Sequence, residues 1–413
     1  MSCNSCRPFG LASLLLLSFS ALSLVETSNA APSIAGQLWS RTISTPNIDF
    51  AGGVDADQSG NLYVTGDTFG QLAEPSAGGY DGFVAKYNPS GTQLWVHQFG
   101  GSGQDASTGI AVNAAGDFVV AGSAGSAFGG PSLGLTDGFV RKYNSSGVVQ
   151  WTRRVGSALI DNAIDVALTA SGDSFVAGYS FGLSPYQGNG FVTKLSSTGA
   201  IAWTRNLTSS GVPSAYGVAV DGLGASFVVG QSPTTVPLDG SNESGGAFVT
   251  KFDANGNLLW ARQFGDNSAL AYDVAVDSLG NAFIAGQGFV RKLAADGSFL
   301  WDHQLGSNVS VTDISLDGLG HVFVGGSWGD EAFYGIYGED GVSLGIHSLQ
   351  SQSGYAANIA PDGLGHLYIS QTVQESNSFD VQLWKVTVLP EPQSLALAAP
   401  GLLLALRVRK RSR

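Results

Sequence analysis

Ten residues, Asp57 to Gly66, read DQSGNLYVTG, a tight turn running into a short strand of aromatic and β-branched residues. The same figure returns six more times, with its turn glycine at Gly60, Gly116, Gly172, Gly224, Gly280, Gly320 and Gly365. Two or three places beyond each glycine stands a bulky residue: Tyr63, Phe118, Phe175, Phe227, Phe283, Phe323 or Tyr368. A period of 40 to 56 residues is the mark of a solenoid, propeller or array, because one such unit cannot bury its own apolar face. Seven copies in 413 residues argue for one closed domain rather than two or three ordinary ones.

The second unit shows what each copy contains. Gly109–Asn113 and Asp117–Gly122 form a hairpin across Ala114-Ala115-Gly116, and a variable loop leads to Gly138–Tyr143. A second turn, Asn144–Gly147, then leads to Gln150–Arg153. Four short runs bounded by Gly, Asn, Asp and Ser predict four antiparallel strands. Blades of four strands set around an axis make a β-propeller. A glycine content of 58 residues and only 12% charged residues suit many strands joined by tight turns.

The third-strand figure recurs at Phe83, Phe139, Phe191, Phe248, Phe289 and Phe333, and the fourth-strand tryptophan at Trp95, Trp151, Trp203, Trp260 and Trp301. These aromatics read as blade-on-blade core. The sixth and seventh units depart from the pattern, with Ile336 in the lysine place and Gly345 in the tryptophan place.

The body opens on a lone fourth-strand figure, Gln37-Leu38-Trp39-Ser40-Arg41, and ends on a third-strand figure, Asp380–Lys385. The predicted fold is therefore an all-β, seven-bladed propeller of four-stranded antiparallel blades, closed by the N-terminal strand joining the last blade. Such closure leaves no open sheet edge. Through motifs such as DQSGNLYVTG and DGFVAKYNPSGTQLW (Asp81 to Trp95), residues 37 to 388 resemble the SBBP-type seven-bladed propeller repeat of bacterial secreted proteins. That resemblance implies a fold and an extracellular setting, and no reaction.

Both ends read as addresses. Arg7, an apolar run from Leu11 to Val25 and Ser28-Asn29-Ala30 before Ala31 form a secretory signal peptide over residues 1–30, cut by signal peptidase. The run is shorter than the ~20 residues that span a bilayer. Residues 31–389 are then the propeller. At the other end Pro390-Glu391-Pro392, the apolar stretch Leu395–Leu406 and the basic end RVRKRSR follow in order. Residues 390–413 thus resemble the PEP-CTERM sorting signal. The resemblance implies a Gram-negative host, an exosortase partner, and a secreted or cell-surface product in an exopolysaccharide or biofilm context. The 12-residue apolar stretch, broken at Pro400-Gly401, would reach only ~18 Å as a helix. With its basic end held inside, it predicts a transient inner-membrane hold.

The chain carries a net charge of −13. Setting aside the five basic residues of the last seven, Arg7 and Glu26 leaves 13 basic against 31 acidic residues, a body near −18. That balance excludes the basic face of a nucleic-acid binder. Cys3 and Cys6 both lie in the leader, so the exported body has no disulfide and no thiolate metal site.

Residues that recur in every unit read as scaffold, and function is sought in the exceptions. Lys86, Lys142, Lys194, Lys251, Lys292 and Lys385 keep one register and are expected to lay their stems on a neighbouring blade and pair with turn carboxylates. His97 and His303 stand where other blades have arginine, and His321 and His366 where others have asparagine. They form no metal triad or nucleophile's base. No catalytic residue is assigned.

The candidate ligand-binding residues are Asp49, Asp105 and Asp161, at equivalent places before the innermost strand. Asp165, Asp273 and Asp313 share a second such place. An acidic rim there could hold Ca²⁺, the only cofactor considered, while the competing role is to cap loop amides. Trp328 and Asp330, beside Tyr334, Tyr337 and Glu331, pair an aromatic with a carboxylate as sugar sites do, or else patch a degenerate blade. The expected protein is a monomeric, non-catalytic binding or structural propeller whose partner is a polysaccharide or surface protein. The competing expectation is a propeller lyase or glycan hydrolase using carboxylates on the long-loop face.

Overall fold

The computed structural model describes residues 36–388 apart from 183–187, 208–211, 235–245, 267, 350–354 and 376–377. The expected signal peptide, with Ala30 and Ala31, and the expected sorting tail, with Pro390, Glu391 and Pro392, lie outside the described residues. Among the described residues the strands form seven sheets, each of four antiparallel strands paired in order from the axis outward. The predicted propeller is the fold observed. Blades 1 to 6 have innermost strands Asp49–Ala56, Asp105–Val112, Ile160–Leu168, Ser214–Val220, Ala271–Val276 and Val309–Leu316.

Blade 7 is built from both ends of the body: Asn358–Pro361, His366–Glu375, Ser378–Thr387 and, outermost, Gln37–Ile43. The N-terminal strand takes the register of every other outer strand. Trp39 lies opposite Lys385 as Trp95 lies opposite Lys86 and Trp203 opposite Lys194. The closure read from the sequence offset is therefore present.

The recurrent residues form latches between blades. Every outer strand but that of blade 6, which has Gly345 in the place, sends a tryptophan against the outer hairpin turn of the next blade. Trp151 donates to the Ser197 carbonyl (3.0 Å), Trp203 to Ala254 (3.2 Å), Trp260 to Ala295 (3.0 Å), Trp301 to Glu339 (3.0 Å) and Trp39 to Pro89 (3.0 Å). Lysines reach the same carbonyls: Lys194 that of Ala254 (3.3 Å), Lys251 that of Ala295 (3.4 Å) and Lys292 that of Glu339 (3.1 Å).

The turn itself is shaped for this. At Gly199 φ is +80°, and a Cβ there would lie 2.7 Å from the Trp151 ring. Only glycine takes that conformation freely, and only glycine leaves room for the indole.

Most of the lysines also pair with an acid of their own blade's inner turn, among them Lys86 with Asp57 (3.7 Å), Lys194 with Asp173 (3.4 Å), Lys251 with Asp221 (3.6 Å) and Lys385 with Asp362 (3.3 Å). The ammonium sits over the blade's aromatic, 4.4 Å from the Phe227 ring centre for Lys251. Blade 2 has Asn113 in the acid's place, and Lys142 turns instead to the Gly172 carbonyl of blade 3 (3.0 Å). Most histidines do scaffold work: His321 and His366 hold Asp317 (2.6 Å) and Asp362 (2.8 Å) as Asn61 holds Asp57 (2.7 Å), and His303 takes the Gly341 carbonyl in place of an arginine.

Candidate acidic channel and its aromatic mouth

The innermost strands are not regular. Each of the first six slips register once, as between Ala163 and Asp165 or between Ala271 and Asp273. A β-bulge sharpens the twist and re-aims side chains. Here it turns the bulged residue and its neighbour toward the axis. The result is a channel of about 500 Å³, lined among others by Asp55, Asp165, Tyr216, Tyr272, Asp273 and Asp313. Its lining includes no lysine, arginine or histidine.

The four carboxylates are spoken for by backbone amides. Asp55 accepts from Ala56 (2.7 Å) and from Val112 of blade 2 (2.7 Å). Asp165 accepts from Val166 and from Val218 of blade 4 (both 2.8 Å). Asp273 accepts from Val274 (2.7 Å) and from Ile314 of blade 6 (2.9 Å), and Asp313 from Ile359 of blade 7 (2.7 Å). These bonds clip neighbouring blades together at the axis.

Burial without a cation raises every one of these acids. Asp55 is pushed up to about 6. Asp165, with the Asp273 charge added to burial, reaches about 8. Asp313 rises to about 7, burial outweighing the Ile359 amide. Asp273 is raised well above the ordinary range by burial and then by the Asp313 charge, with which it shares a hydrogen bond. Near neutral pH part of this ring is protonated. Among the described residues no group of three or more His, Cys, Asp or Glu is placed to hold a metal ion.

Aromatic rings surround the loop-side mouth. Tyr179, Tyr216 and Tyr272 follow one another over blades 3 to 5, with ring centres 6.2 Å apart at each step. Across the ring, Phe50 packs on Tyr80 (6.2 Å), Tyr355 (5.9 Å) and Phe379 (5.5 Å), and Tyr355 is left 57% exposed.

The residues singled out from the sequence lie as follows. Asp49, Asp105 and Asp161 are buried, and each folds back on its own loop, accepting from Thr45 (2.6 Å), Gly101 (2.7 Å) and Ser157 (2.8 Å). Burial raises all three above the ordinary carboxylate range. They are not brought together and do not reach the channel lining. Trp328 stacks on Phe333 (4.7 Å) at the edge of a core cluster. Asp330 is exposed and lines, with Tyr355 and Phe379, a separate hollow of about 330 Å³. Tyr334 and Tyr337 are core.

The second aspartate place, at Asp165, Asp273 and Asp313, is the one that converges at the axis. Sequence reading missed Asp55, which reaches the channel from two residues further along its strand, in the place that Ala167 takes in blade 3. It also missed Tyr216 and Tyr272, whose signal is their place one residue before the register of Asp165.

The β-propeller repeat family described as SBBP matches residues 38–71 and 259–288. Two stretches of the chain thus match the SBBP-type propeller repeat. No curated protein matches it. Among solved structures it is similar to a protein of unknown function from Bacteroides caccae (10% identity, 66% of this chain and 92% of that one, TM-score 0.43). It is similar also to a gluconolactonase from Xanthomonas campestris (14%, 73% and 91%, 0.42) and to YCF48 bound to D1 peptide (7%, 88% and 99%, 0.49).

Proposed function

We propose that this protein is an exported cell-surface or matrix propeller that binds extracellular polysaccharide without turning it over. The observation that carries this reading is the aromatic mouth: Tyr179, Tyr216 and Tyr272 on one side, Phe50, Tyr80, Tyr355 and Phe379 on the other, above an acidic channel. Ring faces stack on pyranoses, and carboxylates below accept from sugar hydroxyls. The two address signals support the setting: signal peptidase and exosortase handle the ends, and residues 395–406 with their basic end hold the protein briefly at the inner membrane of a Gram-negative host. Affinity electrophoresis of the processed body in gels of the host's matrix polysaccharide tests the reading. Retardation lost in Tyr216→Ala/Tyr272→Ala supports it; a body that ignores the polysaccharide refutes it.

A glycan-cleaving reading draws on the neighbouring Asp273 and Asp313 in the channel, both raised by burial. Against it, both oxygens of Asp55, Asp165 and Asp273 are already held by amides. An acid–base catalyst needs an oxygen free to meet substrate. New chain ends released by wild type and not by Asp313→Asn would reverse this order of preference.

A further inference from the structure

We infer that the short-turn face of the ring, opposite the aromatic mouth, is the face that lies against a lipid bilayer, seated by Leu223, Leu279, Leu319 and Leu364; this rests on the reading that the C-terminal segment holds the protein at a membrane. These leucines occupy the tip of the inner hairpin turn in four consecutive blades, 4 to 7. They are 90%, 77%, 67% and 60% exposed. The same tip in blades 1 to 3 is Ser59, Ala115 or Ser171. One exposed leucine is ordinary. Four in one register along adjoining blades form an apolar arc on an otherwise polar rim.

The turns adjoin one another on this face. A Cβ at Gly60 would lie 3.5 Å from Leu364 Cδ1, and one at Gly363 would lie 3.7 Å from the Asp317 carbonyl of the Leu319 turn.

The chain leaves the ring at the end of this arc. The strand Ser378–Thr387 runs out on the short-turn side, where the Val388 amide donates to the Gly365 carbonyl of the Leu364 turn (3.0 Å). Only residues 389–394, two of them proline, separate that point from the apolar stretch at Leu395. Six residues span at most ~20 Å. A membrane segment beginning at Leu395 therefore keeps the leucine face, and not the aromatic mouth, within reach of lipid.

The occupant is a neutral lipid surface. The inner-turn acids are neutralised from within: Asp221 by Lys251 (3.6 Å), Asp277 by Lys292 (3.9 Å) and Asp362 by Lys385 (3.3 Å). The charges left nearby on the outer turns are Asp253 and Asp296, each with an arginine beside it (Arg205 and Arg262), and Glu339 and Asp340, so this face has no basic excess to draw anionic headgroups. Protruding apolar tips without a basic excess around them insert shallowly by burial alone.

The test uses the full chain with Cys3 and Cys6 changed to serine and a single cysteine placed at Leu279, Leu319, Ala115 or Ser102, each carrying an environment-sensitive dye. Ala115 is the polar-turn control and Ser102 the loop-face control. On flotation with phosphatidylcholine vesicles, dyes at 279 and 319 are expected to shift blue and lose quenching by aqueous iodide, while that at 102 stays aqueous. Leu279→Ser/Leu319→Ser is expected to float with its folding unchanged and to raise iodide quenching of a dye at 223. A chain that floats with every dye aqueous overturns the leucine face and leaves the membrane anchor standing. A chain that does not float overturns both. A blue shift without vesicles that vanishes on dilution shows a second copy on this face and overturns the proposal.

Discussion

Six of the seven junctions between blades carry an outer latch, and the junction from blade 6 to blade 7 carries none. At the six, a tryptophan lies against the glycine of the next blade's outer turn, as Trp95 does on Gly147 and Trp301 on Gly341. At the seventh, Ile336 and Gly345 replace lysine and tryptophan. Read along the sequence this looks like decay of the repeat. Read around the ring it has a cause. Lysine and tryptophan of one blade grip the outer hairpin turn of the next, and blade 7 has no such turn, because its third strand ends at Thr387 and its fourth begins at Gln37. A tryptophan in blade 6 would have nothing to hold. What remains there is the inner clip from Asp313 to the Ile359 amide (2.7 Å) and the apolar packing of Phe323, Tyr334 and Ile336 with Leu367, Ile369 and Trp384.

Removing the closing strand 37–43 should break the comparison most violently, since it opens a sheet edge and discards the Trp39 latch on blade 1. We expect a loss of at least ~4 kcal/mol, on the scale of a large core truncation, with self-association through the bared edge. Denaturant midpoints and light scattering read both. A stable monomer lacking this strand would mean that the ring does not depend on closure.

Next in size is Lys251→Met. The lysine and Asp221 are nearly buried, and removing one partner strands the other, at a cost of ~3 kcal/mol. The reverse exchange, Ile336→Lys, separates latch from propensity. The new ammonium would have Asp317 to pair with, as Lys385 has the His366-held Asp362, but no outer turn to grip, and it would replace a buried core isoleucine, so it should cost ~1–2 kcal/mol rather than stabilise. Urea unfolding of the two variants side by side decides it; a gain in stability from Ile336→Lys would sink the turn-gripping account.

Much of this was legible beforehand because it recurs. The period, the aromatic set and the odd fourth strand at Trp39 fix blade count and closure, and the lysines other than Lys142 pair with a turn carboxylate as their register implied. The channel was legible only in part. Asp165, Asp273 and Asp313 share a sequence place, but whether that place faces the axis depends on a bulge, a one-residue slip that no local pattern announces. Asp55 is hidden differently: the slip at Gly52-Gly53 is also of one residue, but Asp55 stands two places beyond the register of Asp165. Tyr216 and Tyr272 look like ordinary strand aromatics until the bulge turns them inward.

The smallest predicted effect concerns that inner wall, and it runs opposite to the usual acid lability of proteins. A carboxyl with an ordinary value of 3.8 when unfolded and about 8 at Asp165, about 7 at Asp313 or about 6 at Asp55 when folded binds more protons in the folded state between those limits. The stability these groups contribute is complete below about pH 4 and is lost as pH rises through about 6 to 8. The urea midpoint should therefore fall between about pH 5 and pH 8.5. Asp165→Asn should start lower, since its amide nitrogen cannot accept from Val166 or Val218, yet show a flatter fall. The unlatched junction sharpens the point, because Asp313 is its clip. Hydrogen exchange of the Ile359 amide should accelerate with pH beyond the intrinsic rate, and more than that of an amide such as Val64 in an outer-latched blade. Equal protection at the two positions across this range would show that blade 7 is held by its closing strand alone.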